Sequence, residues 1–94
     1  MAIQYDIENS DQRMNLDTLI HYLKKGREIE FYYSETLYFL DSDSPDQHTL
    51  WEKTTQIGEA FTDVTEENLS KLFIKGKSIA NIFKGGEARV STIF

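Results

Sequence analysis

The spacing of apolar residues changes along the chain and predicts both helices and strands. Apolar residues at 16, 19, 20 and 23 share one helix face, which predicts an amphipathic helix. Asn15 is its expected N-cap, and Gly26 its expected stop. From residue 27 the period becomes two, as in a half-buried strand. A second β-rich run at 36–40 follows so closely that the two runs predict a hairpin.

The register of this hairpin depends on its turn. A two-residue loop at Glu35-Thr36 would pair Tyr33 with Tyr38 and Phe31 with Leu40. Neither loop residue is the Gly or Asn that such a turn favours. The sequence therefore predicts a hairpin but leaves its register open.

The remaining elements follow from breaks in the pattern. Residues 41–47 contain turn-forming residues and no apolar one, which predicts a loop. Residues 48–57 predict a third strand, ended by Gly58. Residues 66–84 predict either one helix or two. Two short pieces joined at 74–77 are favoured, because Gly76 is costly inside a helix and Ser78 offers a new N-cap.

The two ends of the chain complete the predicted fold. Residues 3–7 predict a first strand, and residues 87–94 a last one with 88, 90, 92 and 94 on one side. The order is then β-α-β-β-β-α-β. We expect one α+β domain spanning 1–94, with two or three helices packed on one antiparallel or mixed sheet of about four or five strands.

Composition removes several classes of function. The 94 residues contain no cysteine, which excludes disulfides, thiol catalysis and cysteine-bound zinc. No run approaches the ~20 apolar residues of a membrane span. The N-terminal stretch also lacks the apolar core of a signal peptide. We therefore expect a cytoplasmic protein that does not insert into a membrane.

Charge is unevenly distributed. Residues 28–70 hold eleven acidic side chains and one basic side chain, whereas residues 71–94 hold five basic and one acidic. The acidic middle should repel nucleic-acid phosphates and attract basic protein grooves, although a solvated face is the commoner explanation. The basic side chains near the end could pair with the acidic middle within the fold, or with a second subunit of a homo-oligomer. The lysines concerned are Lys71, Lys75, Lys77 and Lys84.

Two short motifs imitate ligand sites. Gly76-Lys77-Ser78 matches the end of a phosphate-binding loop, but the glycine required five residues earlier is Lys71. Asp41 and Asp43 match the first and third positions of a calcium loop. However, proline occupies the fifth position, and Asp46 occupies the sixth, where glycine is needed. Weak divalent-cation binding by the three aspartates is the alternative to a solvated acidic loop.

Catalytic chemistry has little support. Ser42, His48 and Asp46 could be combined into a Ser-His-Asp triad, but no nucleophile elbow accompanies them. We predict no catalytic residue, no metal ligand and no cofactor.

Aromatic residues concentrate in the predicted hairpin. Alternation sends Tyr32 and Phe39 to the face opposite Phe31 and Leu40. Either a second layer, such as the later helices, covers them, or they form an exposed patch that binds a partner.

A resemblance to other small proteins rests on three parts of the chain. They are Lys24-Lys-Gly-Arg-Glu-Ile-Glu-Phe-Tyr-Tyr33, Tyr38 and Gly76-Lys-Ser-Ile79. Over residues 15–94 the chain resembles small uncharacterised proteins of low-GC Gram-positive bacteria or their phages. The resemblance implies an α+β fold and a cytoplasmic bacterial or phage origin, and it supplies no activity.

The leading hypothesis is a non-catalytic interaction or regulatory module that binds a protein, with a basic protein as one option, but does not bind nucleic acid directly. One alternative is an acidic mimic of nucleic acid, of the kind with which phages inhibit nucleic-acid-binding proteins. The other is a small enzyme or ligand-binding domain without a recognisable motif. The predicted partner-binding residues are Tyr32, Phe39, Glu28, Glu30, Asp41, Asp43 and Asp46.

Overall fold

The computed structural model describes residues 3–4, 13–44 and 47–94 and has an α+β fold, as the sequence predicts. In chain order the elements are β1 (Ile3–Gln4), α1 (Leu16–Lys24), β2 (Ile29–Tyr33), β3 (Thr36–Ser44), β4 (Gln47–Glu52), β5 (Thr55–Phe61), α2 (Glu66–Leu69), β6 (Phe73–Ile74), β7 (Lys77–Ser78), α3 (Ile79–Lys84) and β8 (Arg89–Ile93). Of the predicted first strand, residues 5–7 lie outside the described ranges.

One sheet organises the fold. Its order is β1-β8-β2-β3-β4-β5, and every pairing is antiparallel. Strands β2 to β5 are consecutive neighbours, and β8 returns after the helices to pair with β2. β6 and β7 form a separate two-stranded hairpin. The described chain therefore contains one strand of the main sheet and one small hairpin that the predicted order lacks.

Helix α1 confirms its predicted ends. The Asn15 side chain accepts a hydrogen bond of 2.8 Å from the Thr18 amide, and Gly26 has a φ of 78°. The side chain therefore satisfies one of the amides at the start of the helix, and glycine adopts the left-handed conformation after its end.

The register of the β2–β3 hairpin, which the sequence leaves open, differs by two residues from the one that a Glu35-Thr36 loop would give. The loop is Ser34-Glu35, and Phe31 pairs with Tyr38, not with Leu40. Ser34 and Glu35 have φ angles of 52° and 68°, as in a type I′ turn, although neither is the usual Asn or Gly. Because the shift is an even number of residues, the predicted faces are unchanged.

Residues 41–61 differ most from the prediction. The predicted loop is largely strand, because β3 continues to Ser44 with Asp41 opposite Thr49 and Ser42 opposite His48. The predicted third strand is two strands, with the chain turning at residues 53–54. Gly58 does not end a strand; its φ of 68° lies in a bulge within β5.

Residues 66–84 contain two short helices, as predicted. They are separated by the β6–β7 hairpin, which turns at Lys75-Gly76. The Ser78 hydroxyl accepts a hydrogen bond of 3.1 Å from the Asn81 amide, which confirms Ser78 as the N-cap of α3. The Gly76-Lys77-Ser78 sequence is thus a hairpin turn followed by a cap.

A bulge in β8 overturns its predicted alternation. Phe31 pairs with Val90, but Glu30 pairs with Thr92, so β8 has one extra residue between these pairs. Beyond the bulge Ile93 is fully buried, whereas Thr92 lies with Glu30. Residues 88 and 90 therefore do not share a side with 92 and 94.

The core lies on one face of the sheet. The Phe31 and Phe83 ring centroids are 5.1 Å apart, which places α3 against the face that also carries Leu40 and Leu50. α1 contributes Leu16, Leu19 and Leu23 to the same buried cluster. The predicted possibility that the later helices cover Tyr32 and Phe39 is therefore wrong, since these helices pack on the opposite face.

Candidate functional site

The sheet face opposite the helices, called the open face below, presents a band of large apolar side chains. Paired residues of neighbouring strands point to the same side of a sheet. Tyr32 pairs with Leu37, and Phe39 pairs with both Glu30 and Trp51. Phe94 joins the band because its ring centroid lies 5.9 Å from that of Phe39. The open face thus has five large apolar members: Tyr32, Leu37, Phe39, Trp51 and Phe94.

These side chains are accessible to solvent. Leu37 is 38% exposed and Phe94 45%, while Tyr32, Phe39 and Trp51 are half-buried. No helix or strand among the described residues covers them. A contiguous apolar surface on a small protein is a common mark of an interface.

Trp51 is held in place by a buried carboxylate. Its indole Nε1 donates a hydrogen bond of 2.7 Å to Asp41 Oδ2, and the Thr49 amide donates one of 3.0 Å to Asp41 Oδ1. Asp41 is 7% exposed. Burial raises the pKa of its carboxyl and the charges of Asp43 and Glu28 act in the same direction, while both hydrogen bonds oppose them.

The predicted acidic contact residues separate into two groups. Asp41 is buried and Glu28 accepts a hydrogen bond of 3.1 Å from the Ser42 amide, so both carboxylates have partners within the fold. Glu30 is half-buried on the open face, where the Thr92 hydroxyl donates to it at 3.4 Å, and Asp43 is exposed. Asp46 lies outside the described residues. Asp41 therefore positions Trp51 and cannot itself reach a partner, which corrects its predicted role.

Two grooves flank the turn of the β2–β3 hairpin. One, of about 430 Å³, includes Tyr32, Glu87 and Arg89 in its wall. The other, of about 500 Å³, lies between this turn and that of the β4–β5 hairpin; we call it the turn groove. Its wall includes the charged and large apolar residues Glu30, Glu35, Leu37, Phe39, Glu52 and Lys53.

Ser42 and His48 do come together, but in a closed setting. Ser42 Oγ lies 3.0 Å from His48 Nδ1 and 3.3 Å from the Arg27 carbonyl oxygen. His48 is 1% exposed and stacks on Phe61 with ring centroids 5.4 Å apart. When the hydroxyl donates to the Arg27 carbonyl, Nδ1–H of the histidine donates to Ser42. This arrangement cross-links β3, β4 and the segment between α1 and β2, with the serine proton directed at the Arg27 carbonyl and not at the histidine.

Most of the predicted basic cluster is paired locally. Lys71 lies 3.8 Å from Glu67 and Lys77 lies 2.5 Å from Glu87, while Lys84 pairs with Glu66. Two of these three pairs therefore join the basic end of the chain to the acidic middle.

The described residues contain neither a membrane-spanning helix nor a cluster of metal-ligating side chains. Within the described ranges, no helix combines the length and the apolar character required to cross a bilayer. The same residues bring together no group of three or more His, Asp or Glu side chains suited to holding a metal ion. Comparison with protein-family models, curated proteins and solved structures finds no significant match.

The sequence predicted two of the five members of the apolar band. Tyr32 and Phe39 lie on the predicted face, but Trp51, Leu37 and Phe94 were missed. Leu37 could have been found, since it alternates with Tyr38 in β3. Assigning Trp51 to the open face requires the β3–β4 register, and assigning Phe94 requires knowledge of the bulge in β8.

Proposed function

We propose that this chain is a small, non-catalytic protein-interaction or regulatory module that binds another protein through the open face of its sheet. One observation carries the proposal: five large apolar side chains lie on the face that the helices leave uncovered. Interfaces are enriched in Tyr, Trp and Phe, and such residues supply much of the binding energy. A cytoplasmic location is part of the proposal, as the bacterial resemblance implies.

The setting of the Ser42–His48 pair supports the non-catalytic part. A general base has to reach the groups that exchange protons with substrate, and His48 is closed off from solvent. Neither His48 nor Trp51 is in the wall of the two grooves beside the hairpin turn.

Site-specific photo-crosslinking in the encoding organism tests whether the open face binds another protein. A photoreactive residue at Leu37 on the open face should capture a specific protein, whereas one at exposed Lys24 in α1 should not. Capture of the same protein from Lys24 but not from Leu37 would contradict the proposal.

The captured protein can then be titrated against two matched variants. Phe39→Ala removes an aromatic ring from the open face, and Phe73→Ala removes one that is 56% exposed on the β6–β7 hairpin. We expect Phe39→Ala to weaken binding about tenfold or more and Phe73→Ala to leave it within about twofold. The reverse ranking would place the interface elsewhere.

The nucleic-acid mimic is a second candidate because Glu28, which directly precedes β2, and Glu30 in β2 lie near the exposed Asp43 of β3. Mimicry predicts that the partner binds DNA or RNA and that the two compete. Simultaneous binding of nucleic acid and this chain would exclude it, without affecting the interaction proposal.

A further inference from the structure

We propose that the partner presents a basic segment, and that an arginine or lysine side chain of this segment enters the turn groove beside Phe39. This inference rests on the proposed function, since it names the chemistry that the open face selects. The occupant is a different protein and not a second copy of this chain.

Charge complementarity carries the first step. Glu30, Glu35 and Glu52 contribute three carboxylates to the groove wall, against one lysine, Lys53. Three lysine–glutamate ion pairs, 71 with 67, 77 with 87 and 84 with 66, involve none of the groove glutamates. Although Glu30 accepts a hydrogen bond from the neutral Thr92 hydroxyl, the three carboxylates would attract a cation from outside, also over a distance.

The apolar part of the wall carries the second step. Phe39 lies directly opposite Glu30 across β2 and β3, and Leu37 lies next to it on the same face. A carboxylate beside an aromatic ring suits a guanidinium or ammonium group, because the ring attracts the cation and the carboxylate neutralises it. The long aliphatic stems of Arg and Lys would pack on the same apolar surface.

The local pairing of the chain's own lysines carries the third step. Lys71, Lys77 and Lys84 already lie beside glutamates of the same molecule. A second copy would have to break these pairs to offer these three cations, and its net charge of -6 opposes its approach to an acidic groove. A separate basic protein faces no such cost.

The probe is a 12-residue peptide containing three arginines among Leu, Gly and Ser, with a twin in which citrulline replaces each arginine. Citrulline keeps the shape and removes the charge. Each peptide is titrated into the ¹⁵N-labelled full chain while the amide signals and the Trp51 indole signal are followed by NMR. We expect the arginine peptide to shift the signals of Glu30, Phe39 and Glu52, and to bind at least about fivefold more tightly than its twin.

Paired variants control for net charge. Glu30→Gln with Glu52→Gln should weaken the arginine peptide about fivefold or more and flatten its salt dependence. Glu59→Gln with Glu67→Gln removes the same charge from exposed positions outside the groove wall and should change binding by less than about twofold.

Several outcomes would overturn the inference. Equal binding of the citrulline twin at the same residues would remove the charge requirement and leave the open face as an interface. A dimer of the chain that Glu30→Gln with Glu52→Gln dissociates would make a second copy the occupant. If neither peptide shifts the open-face signals and crosslinks arise only from Lys24, the proposed function fails as well.

Discussion

Trp51 Nε1 donates a 2.7 Å hydrogen bond to Asp41 Oδ2, and this bond sets the orientation of the largest aromatic side chain on the open face. The other carboxylate oxygen accepts from the Thr49 amide in β4, so Asp41 bonds both the ring and the backbone of the neighbouring strand. Asp41, a polar residue inside β3, therefore fixes the position of Trp51 in the apolar band.

Replacing Asp41 by alanine should destabilise the fold and release the indole. The substitution leaves the Thr49 amide and the Trp51 indole without their acceptor, at an expected cost of about 1–3 kcal/mol. Because Trp51 is the chain's one tryptophan, its fluorescence reports the change directly. We expect a lower free energy of unfolding in urea and a shifted emission maximum in the folded state.

Asp43→Ala is the matched control, because it removes the same side chain from the same strand at an exposed position. Its free energy of unfolding should stay within about 0.5 kcal/mol of the unchanged chain, with no change in emission. Equal effects of the two substitutions on stability and emission would show that the Asp41–Trp51 hydrogen bond determines neither.

Stability should depend on pH through the same carboxyl. Burial raises the pKa of Asp41 in the folded state above its ordinary value, so the folded state holds this proton more tightly than the unfolded state. The resulting stabilisation is complete below the ordinary pKa of aspartate and is lost as pH rises through the raised value.

Asp41→Asn isolates this effect, since asparagine does not titrate. Urea unfolding of both proteins between about pH 3 and 7 should show the unchanged chain losing stability relative to the variant as pH rises through the Asp41 titration. A pH-independent difference between the two would contradict the raised pKa.

Some elements could be predicted because they depend on residues close together in the sequence, and no contact with a distant strand or helix changes them. The caps Asn15 and Ser78 act on amides three residues away, and both are observed. Alternation placed Tyr32 and Phe39 on the correct face without a settled register. The register considered for a Glu35-Thr36 loop differs from the observed one by two residues, and an even shift leaves each side chain on the same face.

The remaining errors come from pairing that local patterns do not contain. Asp41 and Ser42 look like loop residues, but cross-strand partners on β4 make them part of a strand. The turn at Lys53 needs a positive φ of 55° without a glycine to indicate it. The bulge in β8 depends on its pairing with β2, so Phe94 could not be assigned to the open face by counting.

Gly58→Ala should destabilise the protein through a steric clash. A Cβ at this position would lie 2.6 Å from Leu72 Cδ2, so the buried Leu72 side chain would have to shift to admit it. Left-handed strain adds to the clash, because φ is 68°. We expect a loss of about 2–4 kcal/mol in the free energy of unfolding, measured in urea.

Gly26→Ala separates strain from clash, since its φ is 78° and nothing lies within 4 Å of the added atom. It should cost only about 1 kcal/mol. Combining Gly58→Ala with Leu72→Ala should cost less than the sum of the two single changes, because the cavity accommodates the new methyl group. If the two losses in the free energy of unfolding simply add, the clash with Leu72 is not the cause of the destabilisation by Gly58→Ala.

The β2–β3 turn should accept a stabilising change. Ser34 and Glu35 both adopt positive φ, which is strained for L-residues with side chains and comfortable for Asn and Gly. Ser34→Asn with Glu35→Gly should raise the free energy of unfolding by about 1 kcal/mol and the melting temperature by about 4–8 °C. Thr54→Gly is the control: Thr54 lies in the β4–β5 turn and has no positive φ, so glycine there should give no gain or a small loss. If both changes stabilise equally, the benefit does not come from relieving left-handed strain at Ser34 and Glu35.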